Sequence, residues 1–188
     1  MEDLPFNDPN IFAPLILVDE ADQPIGQATK LEVHQQGLRH RAFSVFVIRR
    51  TQAGFECLMQ RRHPDKYHSG GLWANTTCGH PEPDEELAEA AEKRLQYEMG
   101  VETALRHIGV FEYCARVGPF IEREVDHVFL AIDDVITDPH PDEVIEEMWM
   151  PVAQLIQDLG EQPEAFVPWL LPAMSLVTNA LMQEYHGF

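Results

Sequence analysis

Trp73-Ala74-Asn75-Thr76-Thr77-Cys78-Gly79-His80-Pro81, followed by Pro83-Asp84-Glu85-Glu86 and then by Leu87, Ala91, Leu95 and Met99, decides how this chain folds. The first part reads as a short strand. The second is an acidic helix start, which complements the positive end of the helix dipole. The four apolar residues recur every fourth position as one core-facing stripe, and Gly100 supplies the stop. This strand–loop–helix unit puts a thiol, Cys78, two residues from the His80 imidazole and ahead of a helix that carries Glu98. Arg94 and Glu98 are one turn apart and share a face. Glu98 therefore reads either as a carboxylate holding Mg²⁺ with phosphate oxygens or as the ordinary i,i+4 partner of Arg94.

Upstream, residues 12–18 read as a strand, and the turn at 19–24 leads to a short second one. Residues 42–48 are β-branched and aromatic, as in a strand buried on both faces. Gln52-Ala53-Gly54 turns this strand back through 55–62, and a loop at 63–71 is rich in His, Gly and Asp. Downstream, strands at 105–115 and 125–132 join at Gly118-Pro119, with another strand at 144–150 and a short helix at 152–159. A longer amphipathic helix over 163–185, covering the site, has Pro168 in its first turns and a kink at Pro172. Strands interrupted by one central helix, with helices at the end, predict an α+β fold: a mixed β-sheet sandwiched between α-helices. No repeat or linker divides residues 1–188, so one domain is expected, with 1–10 as a loose N-terminal arm.

A chain of 188 residues with 45% hydrophobic content suits one domain with a full core. Its formal net charge is −19, and all 13 Lys and Arg lie between positions 30 and 123. So acidic a surface repels nucleic acid and anionic membranes, and neither is an expected partner. The cationic cluster within 30–66 reads in two ways, as a focus for a small anion or as solvated strand ends and ion pairs. No apolar run is long enough to span a bilayer, and the acidic start lacks the features of a signal peptide. The three cysteines, Cys57, Cys78 and Cys114, are expected as reduced thiols in the cytoplasm.

Three of the nine histidines, His34, His40 and His80, flank strands that would meet near Cys78. Residues i and i+2 of a strand face one side, so Glu122 and Glu124 can both point at one metal. Three imidazoles and two carboxylates form a mixed N/O site suited to Mn²⁺, Zn²⁺ or Mg²⁺. The other histidines, His68 among them, read as surface or hydrogen-bonded residues.

From Gly79 the sequence follows the Nudix box, G-x5-E-x7-R-E-U-x-E-E-x-G-U with U aliphatic: Glu85, Lys93 for Arg, Leu95, Glu98, Gly100 and Val101 fall in register. Arg94 and Tyr97 stand where the box has two carboxylates. Those carboxylates gather the catalytic Mg²⁺ of Nudix hydrolases, so the box here reads as a fold signature with altered chemistry. Lys30-Leu31-Glu32-Val33-His34, His40-Arg41-Ala42-Phe43-Ser44, Gln60-Arg61-Arg62 with Lys66, positions 73–81, Arg94 with Glu98, and Glu122-Arg123-Glu124-Val125 occur in that order. In these motifs the chain, over roughly 30–169, resembles the type 1 isopentenyl-diphosphate isomerases, a branch of the Nudix superfamily.

That resemblance implies specific roles. Cys78 would be one acid–base group and Glu124 the other, on opposite faces of a double bond, with Tyr113 helping to deliver or hold the proton. Protonation of the isopentenyl diphosphate alkene would give a tertiary carbocation, and loss of a proton would give dimethylallyl diphosphate. Trp169 would steady the cation through its π face. His34, His40, His80, Glu122 and Glu124 would hold a divalent metal, Mn²⁺, Zn²⁺ or Mg²⁺. Glu98 would hold a Mg²⁺ that accompanies the diphosphate. Lys30, Arg62, Lys66 and Arg94 would bind the diphosphate of this small-molecule prenyl substrate. Water must be kept from the carbocation, and Trp73 reads equally as cover or core. Two other readings stand beside this one: a Nudix hydrolase of a nucleoside or prenyl diphosphate, and a non-catalytic diphosphate-binding protein. A monomer or homodimer is expected.

Overall fold

The computed structural model describes residues 10–186; the expected N-terminal arm lies outside them except for its last residue. Alternating apolar residues dictate a sheet with two buried faces. It contains β1 (Pro14–Val18), β2 (Pro24–Thr29), β3 (His40–Thr51), β4 (Gly54–Arg62), β5 (Trp73–Ala74), β6 (Thr77–Gly79), β7 (Arg106–Val117), β8 (Phe120–Ile132) and β9 (Val144–Pro151). On β3 and β8, Phe46, Ile48, Val128 and Leu130 face one way, and Val45, Val47, Phe129 and Ala131 face the other. The second face is covered by α2 (Leu87–Met99) through Ala90, Ala91, Leu95 and Met99. The first is covered by α3 (Val152–Glu161) and α4 (Leu170–His186), through Leu155, Leu170, Ala173 and Val177. Each fully buried Leu on these faces contributes about 1.5–3 kcal/mol, so the two helical layers hold the sheet that carries the site.

The sheet is mixed. β3 pairs in parallel with β8, from His40 opposite Glu124 to Ile48 opposite Ile132, while all its other pairings are antiparallel. On its far edge β3 meets β1, then β6 (Ser44 opposite Cys78), then β4. Side chains from β6 and β8 therefore reach toward one another from the two sides of β3. The hairpin β7–β8 sets Tyr113 directly opposite Glu124.

Several expectations shift by a few residues, and each shift has a cause. α2 starts at Leu87 rather than in the acidic run, because Asp84 adopts φ 68° in a turn that precedes the helix. Its end is as read: Gly100 takes φ 67°, a conformation that favours glycine, and its N–H closes on the Gln96 carbonyl. The last helix begins at Leu170 instead of position 163. Residues Pro163–Ala165 form a single 3₁₀ turn, and Val167 N–H then bonds the Trp73 carbonyl, pinning this segment to the sheet as extended chain. Pro172 consequently lies in the first turn of α4, where a missing N–H forfeits no helical hydrogen bond, so no kink is required.

A helix absent from the sequence reading, α1 (Lys30–Gln36), is started by a capping box. The Thr29 hydroxyl accepts from Glu32 N–H, and the Glu32 carboxylate accepts from Thr29 N–H. Thr29-Lys30-Leu31-Glu32 was the local signal for it. No helix among the described residues is long and apolar enough to cross a membrane, and all three cysteines are free thiols.

Candidate active site

A cavity of about 400 Å³ opens where β3, β6, β8 and α2 converge. Lys30, Arg62, Lys66, Cys78, His80, Arg94, Glu98, Glu124 and Trp169 all line it. His34, His40, Glu122 and Tyr113 stand behind Glu124 and His80, so the tertiary structure brings every residue of the sequence-based set to one place.

The imidazoles are held by backbone carbonyls. His34 Nδ1 lies 2.6 Å from the Lys30 carbonyl, one turn back along α1, and His40 Nδ1 lies 2.9 Å from the Leu38 carbonyl. A carbonyl can only accept, so each Nδ1 carries a proton and each Nε2 faces inward, available to a carboxylate or a metal ion. His40 Nε2 is 3.2 Å from His80 Nε2, and both approach Glu124 Oε1, at 3.4 and 3.0 Å. Donor atoms of His34, His40, His80 and Glu124 lie within 4.8 Å of one another. Glu122 is fully buried, and neither of its oxygens has an aligned hydrogen bond, although Oε2 is 3.3 Å from His34 Nε2. Converging imidazole nitrogens and the buried Glu122 and Glu124 carboxylates fit a divalent cation bound by nitrogen and oxygen.

Charge balance sets the protonation states. Burial is the largest influence on Glu124 and, with Glu122, raises its pKa, but hydrogen bonds from His40 and His80 prevail and hold it below the usual carboxylate range. Burial pulls His80 down to about 4. Burial also lowers His40, yet the hydrogen bond to Glu124 and that carboxylate's charge raise it overall. The Tyr113 hydroxyl donates to Glu124 Oε2 at 2.6 Å, and burial together with the Glu124 charge pushes its pKa well up, so the phenol keeps its proton.

Cys78, half-buried on β6, faces Arg62, whose Nη1 is 3.5 Å from Sγ. Burial pushes this thiol up to about 11 despite the opposing pull of Arg62. The Arg62 guanidinium also lies 5.5 Å over the Trp169 ring. Trp169 is buried, and its indole N–H donates to Asn75 Oδ1 at 3.0 Å, which fixes the plane of the ring. Trp73, by contrast, packs on the α4 side of the core and does not line the cavity.

At the opposite end Glu98 is more than an i,i+4 partner. Arg94 Nε meets it at 2.9 Å, Gln60 at 2.8 Å and Lys66 at 3.9 Å, with the Thr77 hydroxyl also donating. Burial opposes ionisation, but Arg94 and Lys66 bring its pKa down to about 2.

Three residues of this site were missed by the sequence reading. Glu143, just before β9, pairs with both Lys66 and Arg94; nothing in its local sequence marks it. Asp126 is buried beside Glu124, accepts from Ser44 Oγ at 2.8 Å and leaves Oδ1 unpartnered. Burial and the Glu124 charge raise its pKa well above that of an ordinary carboxyl. The alternation Glu122, Glu124, Asp126 on one strand was the available signal. His68, read as a surface or hydrogen-bonded residue, is buried with Nε2 2.7 Å from Glu122 Oε1. Its surroundings come from the packing of the 63–71 loop, which residue type alone does not reveal.

Residues 38–170 match the NUDIX domain family. The chain is 42% identical over 166 residues to isopentenyl-diphosphate Delta-isomerase 2 of Aromatoleum aromaticum, covering 88% of this chain and 86% of that one. It is 46% identical over 158 residues to isopentenyl-diphosphate Delta-isomerase of Dinoroseobacter shibae, covering 81% and 85%. Among solved structures, DR0079 from Deinococcus radiodurans superposes with a TM-score of 0.64 at 18% identity, over 79% of this chain and 90% of that one. This last likeness concerns the fold alone.

Proposed function

The chain belongs to the isopentenyl-diphosphate Delta-isomerases of the NUDIX domain family, and we propose that its cavity interconverts isopentenyl and dimethylallyl diphosphate by proton transfer through a tertiary carbocation. The observation that carries the mechanism is the pairing of the Cys78 thiol with the Glu124 carboxylate in one cavity, reached from strands on either side of β3. One group can give a proton while the other takes one, so reversing the reaction reverses their roles.

The diphosphate sits at the cationic end, against Lys30, Arg62, Lys66 and Arg94, where Glu98 would hold its Mg²⁺. The prenyl group then lies toward Trp169. Adding a proton at C4 of the alkene leaves the positive charge on C3, beneath the indole face. Loss of a proton from C2 completes the new double bond. Tyr113 holds its proton against Glu124 and supplies or recovers it as that carboxylate exchanges with substrate. His34, His40, His80, Glu122 and Glu124 would hold a divalent ion, Mn²⁺, Zn²⁺ or Mg²⁺, whose charge would strengthen the acidity available at Glu124. Buried Trp169 and the start of α4 exclude water from the cation. We assign the enzyme to the cytoplasm, acting on a free prenyl diphosphate.

Hydrolysis is disfavoured by the same geometry. Arg94 fills one carboxylate position of the box, and Tyr97, which stacks on His140 with ring centroids 4.8 Å apart, fills another, so Glu98 lacks the two neighbouring carboxylates that a hydrolytic metal cluster needs. Proton NMR of isopentenyl diphosphate with the protein and Mg²⁺ in D₂O tests the proposal. Deuterated dimethylallyl diphosphate should appear, and Cys78→Ala should slow its formation about a thousandfold with the fold intact. Released phosphate would overturn the assignment in favour of a hydrolase, and tight binding without exchange would favour a non-catalytic protein.

A further inference from the structure

Asn75 stands where the sheet forks. β3 and β4 pair only from Ile48 opposite Cys57 to Thr51 opposite Gly54, after which β5 follows β4 and β6 follows β3. Residues 75 and 76 cross between the two short strands, and their side chains supply hydrogen bonds that backbone pairing leaves out. The Thr76 hydroxyl accepts from Val47 N–H at 2.8 Å and donates to the Leu58 carbonyl at 2.7 Å. The Asn75 amide nitrogen donates to the Val45 carbonyl at 3.1 Å and to the Thr77 carbonyl at 2.7 Å. Carbonyls can only accept, so the amide has one orientation, and its Oδ1 accepts from the Trp169 indole N–H at 3.0 Å. All of this happens out of water, since Asn75 is fully buried. An Asp here would set a carboxylate against two carbonyls, and a Gln would carry the amide a methylene further out.

One amide therefore touches two parts of the site at once. The Thr77 carbonyl immediately precedes Cys78, and the indole is the wall across the cavity. The backbone before Trp169 is anchored to the same stretch, because Val167 N–H bonds the Trp73 carbonyl at 2.9 Å. That bond fixes the chain but not the side-chain torsions of Trp169, which the indole N–H bond holds in addition. The ring centroid lies 6.3 Å from that of Tyr113 and 5.5 Å from the Arg62 guanidinium. A turned ring would move its π face relative to both.

We propose that Asn75 is a positioning residue for the isomerisation: it locks the Trp169 π face in register with the Cys78 strand, so that the cation forms beneath the ring. The inference rests on the isomerase reading proposed above, and adds to it a residue that does not line the cavity. Stabilisation of a cation by a ring depends on where the ring face lies. The diphosphate is gripped by the cations at the other end and does not need that face. The loss of Asn75 therefore belongs in kcat, not in KM.

A double-mutant cycle on the full chain tests this, with isopentenyl diphosphate and Mg²⁺. Benzothienylalanine at position 169 keeps a fused aromatic ring and puts sulfur where the indole has N–H. It should lower kcat about tenfold and leave KM within about twofold. Asn75→Ala should show the same split. The two together should cost less than the product of their separate effects, by at least about threefold, because each breaks the same bond. Effects that simply multiply would overturn the inference and leave Asn75 as a structural residue of the fork. An unchanged kcat with the analogue would overturn it as well, and that measurement stands even if Asn75→Ala does not fold. A rise in KM at constant kcat would also overturn it, by placing the bond in substrate binding. A wild-type chain that does not isomerise isopentenyl diphosphate would overturn the isomerase reading itself, and this inference with it.

Discussion

The Tyr113 hydroxyl donates to Glu124 Oε2 at 2.6 Å across the β7–β8 ladder, where the two residues stand directly opposite each other. A phenol whose pKa is raised by burial and by the carboxylate's charge keeps its proton at neutral pH and can exchange it with that carboxylate. Tyr113→Phe should therefore bind substrate and metal normally while kcat falls on the order of a hundredfold. Isomerisation rates under saturating substrate check this; an unchanged kcat removes Tyr113 from the proton path.

Lys66 sets an alkaline limit. Burial lowers its pKa to about 8, Glu98 opposes the shift, and Arg62 and Arg94 reinforce it. Below that pH the ammonium is charged and attracts the diphosphate; above it the charge is lost and kcat/KM should fall. Because kcat/KM reports the free enzyme, its pH profile should show this limb. Lys66→Arg, charged throughout, should flatten it. A limb that persists in the arginine variant would show that another group titrates.

Glu98 couples the diphosphate end to stability. Its pKa is brought from 4.5 to about 2, so its contribution is present above the unfolded-state pKa and is lost as pH falls through the folded one. Glu98→Gln should cost about 3 kcal/mol at neutral pH, a Tm lower by roughly 6–12 °C, because Arg94 and Lys66 are left short of negative charge. Thermal melts between pH 7 and 2 should show the wild type and variant converging in acid. Equal stability at pH 7 would mean that Glu143 alone balances those cations.

Removing metal should destabilise the chain as well as silence it. A cation present at a hundred times its Kd adds about 2.7 kcal/mol to the folded state. Melting after chelation should therefore occur at a lower temperature, with Mn²⁺ or Zn²⁺ restoring more than Mg²⁺ because the donors are rich in imidazole. A melt indifferent to chelation and re-addition would sink the proposed site.

The amino-acid pattern already contained the layers. The alternation in β3 required a sheet buried on both faces, the Leu87, Ala91, Leu95 and Met99 stripe required α2 against one of them, and Gly100 ended that helix. These features are local, because side-chain period and backbone preference act within a few residues. The candidate site residues, from Lys30 to Trp169, were proposed from several motifs occurring in one order, not from spacing within any one of them, and the fold brings them together. α1 was legible in principle, since its capping box is a four-residue signal.

Tertiary structure alone decided the surroundings of those residues. It set His68 against Glu122, Glu143 between Lys66 and Arg94, Asp126 beneath Ser44, and Trp73 in the core rather than over the cavity. Each depends on which loop or strand, distant in sequence, lies alongside. The free energy of a buried histidine or carboxylate comes from the partners that replace its water, and those partners exist only once the sheet and its loops have closed.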